Sequence, residues 1–158
     1  MSVFEIKPTT RADVPTILAF IKGIAEYEKM SDQVRTTEEI LERSLFDQHA
    51  AECVIGYEDG KPVGFALYFY NFSTFEGIAG LYLEDLFVWP EHRGKGYGKK
   101  LLLHLAKKAC DLGCRRMEWV CLDWNQPSID FYLSLGAKPM DEWTIYRLTR
   151  DRLEALSQ

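Results

Sequence analysis

The chain is 158 residues long, with 47% apolar and 27% charged residues and a formal net charge of −5. That length suits a single domain spanning 1–158 around one hydrophobic core, and the composition excludes disordered and fibrous classes. The negative balance argues against a nucleic-acid partner, since that affinity comes from Lys and Arg neutralising phosphates; it suits a cationic small molecule, although charge of this size also serves plain solubility.

The opening MSVFEIKPTTRADVP holds no continuous apolar run of the secretory type. The longest uncharged stretch, Pro62 to Phe75, is too short to cross a bilayer as a helix. A cytoplasmic protein without membrane attachment is expected. Cys53, Cys110, Cys114 and Cys121 lack CxxC spacing, and His49, His92 and His104 are scattered, so no metal site is expected.

In chain order, Ser2 to Lys7 alternates apolar and polar residues as a strand does. Thr10 with Asp13 reads as a capping pair opening a helix, along which Val14, Ile17, Leu18, Ile21, Ile24 and Ala25 lie at helical spacing up to about Tyr27 and Glu28. A second pair, Thr36 with Glu39, opens a shorter helix through Ile40, Leu41 and Leu45. Cys53 to Glu58 and Val63 to Phe72 form a hairpin about Asp59-Gly60, residues that tolerate positive φ. Gly80 to Val88 continues the meander. After a glycine-rich turn comes a helix with Leu101, Leu102, Leu105, Ala106, Ala109 and Leu112 as its buried stripe, stopped by Gly113. Arg116 to Leu122 is the next strand and completes a β-α-β unit, which calls for parallel pairing or near neighbourhood. Pro127 starts a short helix closed by Gly136, and Thr144 to Thr149 is expected as a last strand.

The turn from Val88 to Gly98, VWPEHRGKGYG, lies between a strand and a helix, where unbonded amides and the helix dipole favour an anion. Gly94, Gly96 and Gly98 let backbone approach a phosphate closely, and Arg93, Lys95 and Lys99 add positive charge. An ordinary turn would need one glycine rather than three. The spacing is not that of a Walker A loop, which needs GK followed by Ser or Thr. Nor is it GxGxxG, since Lys99 stands where the last glycine would; Glu118, about twenty residues on, falls at the distance of a ribose-binding acid but amid a short strand.

Arg93, Gly96 and Gly98 match the signature of the GCN5-related N-acetyltransferase (GNAT) superfamily. The blocks YLEDLFVWPEHRGKGYG (Tyr82 to Gly98), WNQPSIDFYLSLGA (Trp124 to Ala137) and IKGIAEYEKMSDQV (Ile21 to Val34) resemble its spermidine/spermine acetyltransferase branch over essentially the whole chain. The resemblance implies an α/β (α+β) fold with a mixed, mostly antiparallel central sheet flanked by helices. It implies a β-α-β acetyl-CoA-binding core and a central strand that is bulged and splays from its neighbour. In STFEG (Ser73 to Gly77), Thr74 and Glu76 stand where the polyamine enzyme carries Asp and Trp, which leaves room for a relative acting on an amino-acid-like amine such as thialysine.

Glu84 and Asp85 interrupt the otherwise apolar LYLEDLFV, and burying an unpartnered carboxylate costs several kcal/mol. Either one faces outward and the other pairs with a base, or both line a cleft, which adjacent strand residues manage only across a bulge. Tyr132 lies four residues after Ser128, so the two share a helix face. Amphipathic packing would account for this tyrosine, whereas the resemblance makes it the acid that protonates the departing thiolate. Asn125 reads as a helix cap and, by the resemblance, a cofactor contact with Ser128. Glu28 is an acid at a helix C-terminus, against the dipole's preference; the resemblance makes it, with Tyr27, Asp85 and Glu118, a substrate contact.

The implied reaction is direct attack of an amine on acetyl-CoA, since no cysteine lies in these blocks. Glu84 would receive the amine's proton, and the backbone N–H groups of Leu86, Phe87 and Val88 would bind the thioester oxygen. The turn residues Arg93, Gly94, Lys95, Gly96, Tyr97, Gly98 and Lys99 would hold the cofactor. A protein or peptide acetyltransferase is the alternative, and a non-catalytic acyl-CoA-binding module a more distant one. The resemblance further implies a homodimer packed through Thr144 to Thr149; an ordinary edge strand would read the same.

Overall fold

In the computed structural model, which describes residues 2–158, the opening alternation becomes strand β1 (Phe4–Pro8). The expected capping pair forms: the Thr10 N–H donates to Asp13 Oδ2 at 2.8 Å. A 3-10 turn, Arg11–Asp13, then feeds helix α1 (Val14–Tyr27), with Pro15 in the first turn where its missing N–H costs nothing. This helix buries Val14, Ile17, Phe20 and Ala25, while Leu18, Ile21 and Ile24 flank them half-buried. It ends on Lys29 at φ 60, a left-handed position usually given to glycine, with the Met30 N–H donating to Ala25 O at 2.7 Å.

Helix α2 (Glu38–Glu42) starts one residue later than expected. Thr37, not Thr36, is the cap, because its extended backbone puts the hydroxyl 3.2 Å from the Ile40 N–H. A π turn, Arg43–Asp47, continues it. Strands β2 (Glu52–Glu58) and β3 (Lys61–Ser73) form the expected hairpin, with Asp59 and Gly60 at φ 49 and 83. Strand β4 (Ile78–Val88) completes the meander. Helix α3 (Tyr97–Asp111) buries Leu101, Leu102, Leu105 and Ala109, but Leu112 caps it and is exposed, so the stripe ends one turn early.

Strand β5 holds only Met117–Glu118 of the expected Arg116 to Leu122. The sheet order is β1-β2-β3-β4-β5, antiparallel except for the parallel β4/β5 pair that closes the β-α-β unit. On one face, Ile55, Phe65, Leu67 and Phe87 pack with Ile17, Phe20, Leu41 and Leu45. Phe20 stacks on Phe65 at 4.9 Å, and each such buried side chain stabilises by about 2–3 kcal/mol. Gly64, of the other face, lies beside Leu101 of α3.

Two irregularities shape β4. The register pairs Leu67 with Asp85 and Tyr68 with Leu83, so Glu84 is an extra residue, a bulge. On the other side, β5 pairs only at Leu81–Met117 and Tyr82–Glu118, and β4 runs on to Val88 beyond it. These are the bulge and splay that the resemblance implied.

The residues divide into two compact units, one ending at Val120 and the other Cys121–Gln158. The second holds α4 (Gln126–Ser134), followed by Gly136 at φ 88, and α5 (Arg150–Leu156), which no sequence signal announced. The expected strand Thr144 to Thr149 is not one: among the described residues it joins no ladder. Alternation makes a segment fit for a sheet, but a strand exists only where an edge supplies hydrogen bonds. Among the described residues no helix is long and apolar enough to cross a membrane.

Candidate active site

The bulge answers how two adjacent acids can share a face. Asp85 pairs with Leu67, whose side chain belongs to the face covered by α1 and α2, and the extra residue turns Glu84 to that same face. Glu84 is exposed and Asp85 half-buried. Burial first, then the neighbouring charges of Glu84 and Glu28, together push the Asp85 carboxyl up to about 7. Glu28, half-buried at the C-terminal end of α1, is itself raised by burial. Three of the expected substrate acids therefore converge.

Glu118 pairs with Tyr82 across β4/β5 and lies 3.4 Å from Arg116. Tyr82, raised by burial and then by Glu84 and Glu118, stands between the two acids. Sequence reading passed it over, although the bulge puts it on the same face. Among the described residues no group of three or more His, Cys, Asp or Glu is set to hold a metal.

Trp89 donates its N–H to Val63 O at 2.9 Å, continuing the β3/β4 ladder past Val88. By alternation Phe87 also faces β3, whereas the backbone groups of Leu86 and Val88 turn to the opposite edge, where β5 has stopped. Of the three expected backbone donors, Phe87 is thus committed to the ladder. Its ring instead packs at 5.3 Å under the Arg93 guanidinium, which lies 5.0 Å from the Tyr27 ring. Arg93 Nε donates to Val88 O at 2.9 Å. The signature arginine ties the glycine turn to the end of β4 and to α1.

In the turn, Gly94 and Gly96 stand at φ 82 and 81, a region costly for any side chain. Gly96 caps α3, so the amides of Gly96, Tyr97, Gly98 and Lys99 have no carbonyl a turn back to bond. They and the helix dipole suit an anion, which fits the diphosphate of coenzyme A. Lys99 is exposed, but Lys95 is engaged elsewhere: its Nζ lies 3.0 Å from Glu58 Oε2. Tyr97 donates its hydroxyl to the same carboxylate. Glu58 carries no sequence signal, because only the hairpin brings it to a turn 37 residues on.

In the second unit, Asn125 is buried and caps α4, its side chain accepting from the Ser128 N–H at 3.4 Å. Ser128 and Tyr132, four apart, share a face of α4, and the Tyr132 ring lies 5.5 Å from Phe131.

Residues 19–137 match the family model described as "Acetyltransferase (GNAT) family". The chain is similar to a thialysine N-epsilon-acetyltransferase from Bos taurus, 36% identical with 99% of each chain covered. It is 44% identical to an L-ornithine N5-acetyltransferase from Arabidopsis thaliana over 63% of this chain and 44% of that one. Among solved structures, an integron cassette protein from the mobile metagenome of V. cholerae superposes with a TM-score of 0.82 at 29% identity, over 98% of each chain.

Proposed function

The chain belongs to the GNAT acetyltransferase family and is an N-acetyltransferase, and from that premise we propose that it transfers the acetyl group of acetyl-CoA to a primary amine of a small cationic molecule. The observation that carries the acceptor class is the convergence of Glu28, Glu84 and Asp85 on one face of the sheet. Thialysine-like amino acids are the favoured acceptors over polyamines and diamines. The relatives named for thialysine and ornithine act on such amines, and Glu76, at a position the polyamine branch uses for grip, is 3.4 Å from Arg115.

An acceptor amine with pKa of roughly 10.4 arrives protonated and must lose that proton before attack. Glu84, exposed at the bulge, receives it through water, and Asp85 holds the cation beside it. The outward backbone of Leu86 and Val88 binds the thioester oxygen as charge develops. Tyr132 protonates the departing thiolate; thiol and phenol, at roughly 8.5 and 10, are close enough for efficient transfer. Bound coenzyme A is held by the amides of the glycine turn, and such positioning lowers a barrier by several kcal/mol. No acetyl-enzyme is needed.

The test is thiol release from acetyl-CoA with thialysine, lysine, spermidine, short diamines and a lysine peptide, beside calorimetry with coenzyme A. Release with thialysine above the others is expected. Release with the peptide alone would replace this reading with protein acetylation, and absence of coenzyme A binding would remove it.

We also assign a cytoplasmic homodimer. The support for the dimer, as distinct from the location, is the exposure of Trp143, Ile145, Tyr146 and Leu148 in one run of the second unit, an apolar stretch fit for burial against a second copy.

A further inference from the structure

Backbone hydrogen bonds hold the glycine turn as far as Arg93, whose N–H donates to Pro90 O at 3.2 Å. They resume at Lys100, whose N–H donates to Gly96 O at 3.0 Å. Between lie the two positive-φ glycines and the amides offered to the diphosphate, and glycine has more backbone freedom to lose on ordering than any other residue. Beyond the tie that Arg93 makes to Val88 O, the turn's polar side-chain restraints gather on one carboxylate. Glu58, at the end of β2 with its side chain 12% exposed, takes Lys95 Nζ at 3.0 and 3.3 Å and the hydroxyl of Tyr97, and has the buried His92 Nδ1 3.5 Å from Oε1. The Tyr97 ring stacks on Phe4 of β1 at 4.1 Å, parallel within 7°.

A carboxylate behind an anion-binding turn is unfavourable by charge alone, so its contribution must be conformational. We propose that Glu58 is a positioning residue for the cofactor: through Lys95 and Tyr97 it presets the turn that presents its amides to the diphosphate, and Lys95 serves this anchorage rather than phosphate contact. The inference rests on the reading of the turn as a coenzyme A site. It changes the assignment of Lys95 from a cation aimed at the ligand to a strut on the protein side. Preset amides spare the ligand the ordering entropy of the turn.

The two roles differ in sign. If Glu58 merely competed with the diphosphate for Lys95, Glu58→Gln would free a cation and tighten acetyl-CoA binding. As a preset, the same change weakens it, by about tenfold in KM for acetyl-CoA, the size of a lost hydrogen-bonded charge pair. Turnover at saturation should stay within about twofold, since the turn is re-formed once the cofactor is bound. Lys95→Gln should weaken binding similarly, and the double variant no more than either alone. Calorimetry with coenzyme A and circular dichroism accompany the kinetics. Should Glu58→Gln fail to fold, Tyr97→Phe, which removes only one hydroxyl, takes its place with a smaller rise in KM. Unchanged or tighter binding in the folded variant, or additive losses in the double, would overturn the preset. Wild-type protein that bound no coenzyme A would instead overturn the cofactor site itself.

Discussion

Asp85 is where sequence, burial and chemistry meet in one side chain. Its carboxyl is raised from 3.8 to about 7 by burial, then by Glu84 and Glu28, so the unfolded chain gives up that proton more readily than the folded one. The stability contributed by protonated Asp85 is therefore complete below about pH 4 and lost as the pH climbs through 7, up to about 4 kcal/mol. Asp85→Asn should raise Tm at pH 8 and flatten its decline between pH 4 and 8, as thermal unfolding across that range would show. A cationic acceptor favours the ionised form, so its KM should fall as the pH passes 7 in the wild type but not in the variant. For Tyr132→Phe, turnover should fall about 10²-fold with little change in acetyl-CoA affinity, the mark of an acid acting in the transition state; steady-state kinetics would expose an intact turnover.

At the scale of elements, β4 carries the proposed site because it is irregular twice. The bulge at Glu84 turns two consecutive acids to one face, and the early end of β5 leaves the backbone of Leu86 and Val88 unclaimed by a neighbouring strand. The turn that follows depends on glycine: at Gly96, φ 81, an alanine costs about 1 kcal/mol in backbone strain alone. Gly96→Ala should lower Tm by a few degrees and weaken coenzyme A binding more than it slows saturated turnover, measured by calorimetry and initial rates. Much of this was legible beforehand. Three alternate glycines between a strand and a helix mark an anion turn whatever surrounds them, and two acids inside an apolar strand demand an explanation that a bulge supplies. Arg93 was legible as a charge and as a signature position; its bond to Val88 O and its stacking on Tyr27 and Phe87 depend on where α1 ends in space.

For the whole molecule, a net charge of −5 and a convergent acidic face favour the approach of cations through an aqueous, screenable field. Acceptor kcat/KM should therefore fall several-fold between low and high salt, more steeply for a spermidine than for a singly charged amine; a flat salt profile would separate the field from acceptor capture. If the apolar run of the second unit forms the homodimer interface, Tyr146→Glu should shift the protein toward monomer in sedimentation. Local chemistry was enough to locate β1 to β4, the Thr10 cap and the glycine stops, because periodicity, cap hydroxyls and positive-φ residues act within a few positions of themselves. It failed where a partner at long range sets the outcome. Thr144 to Thr149 alternates without joining a ladder, β5 stops after two residues, and Glu58 in an ordinary hairpin reaches a turn 37 residues away. Hydrogen-bond partners, burial and the charge a carboxylate feels are properties of neighbours, and tertiary folding alone chooses those.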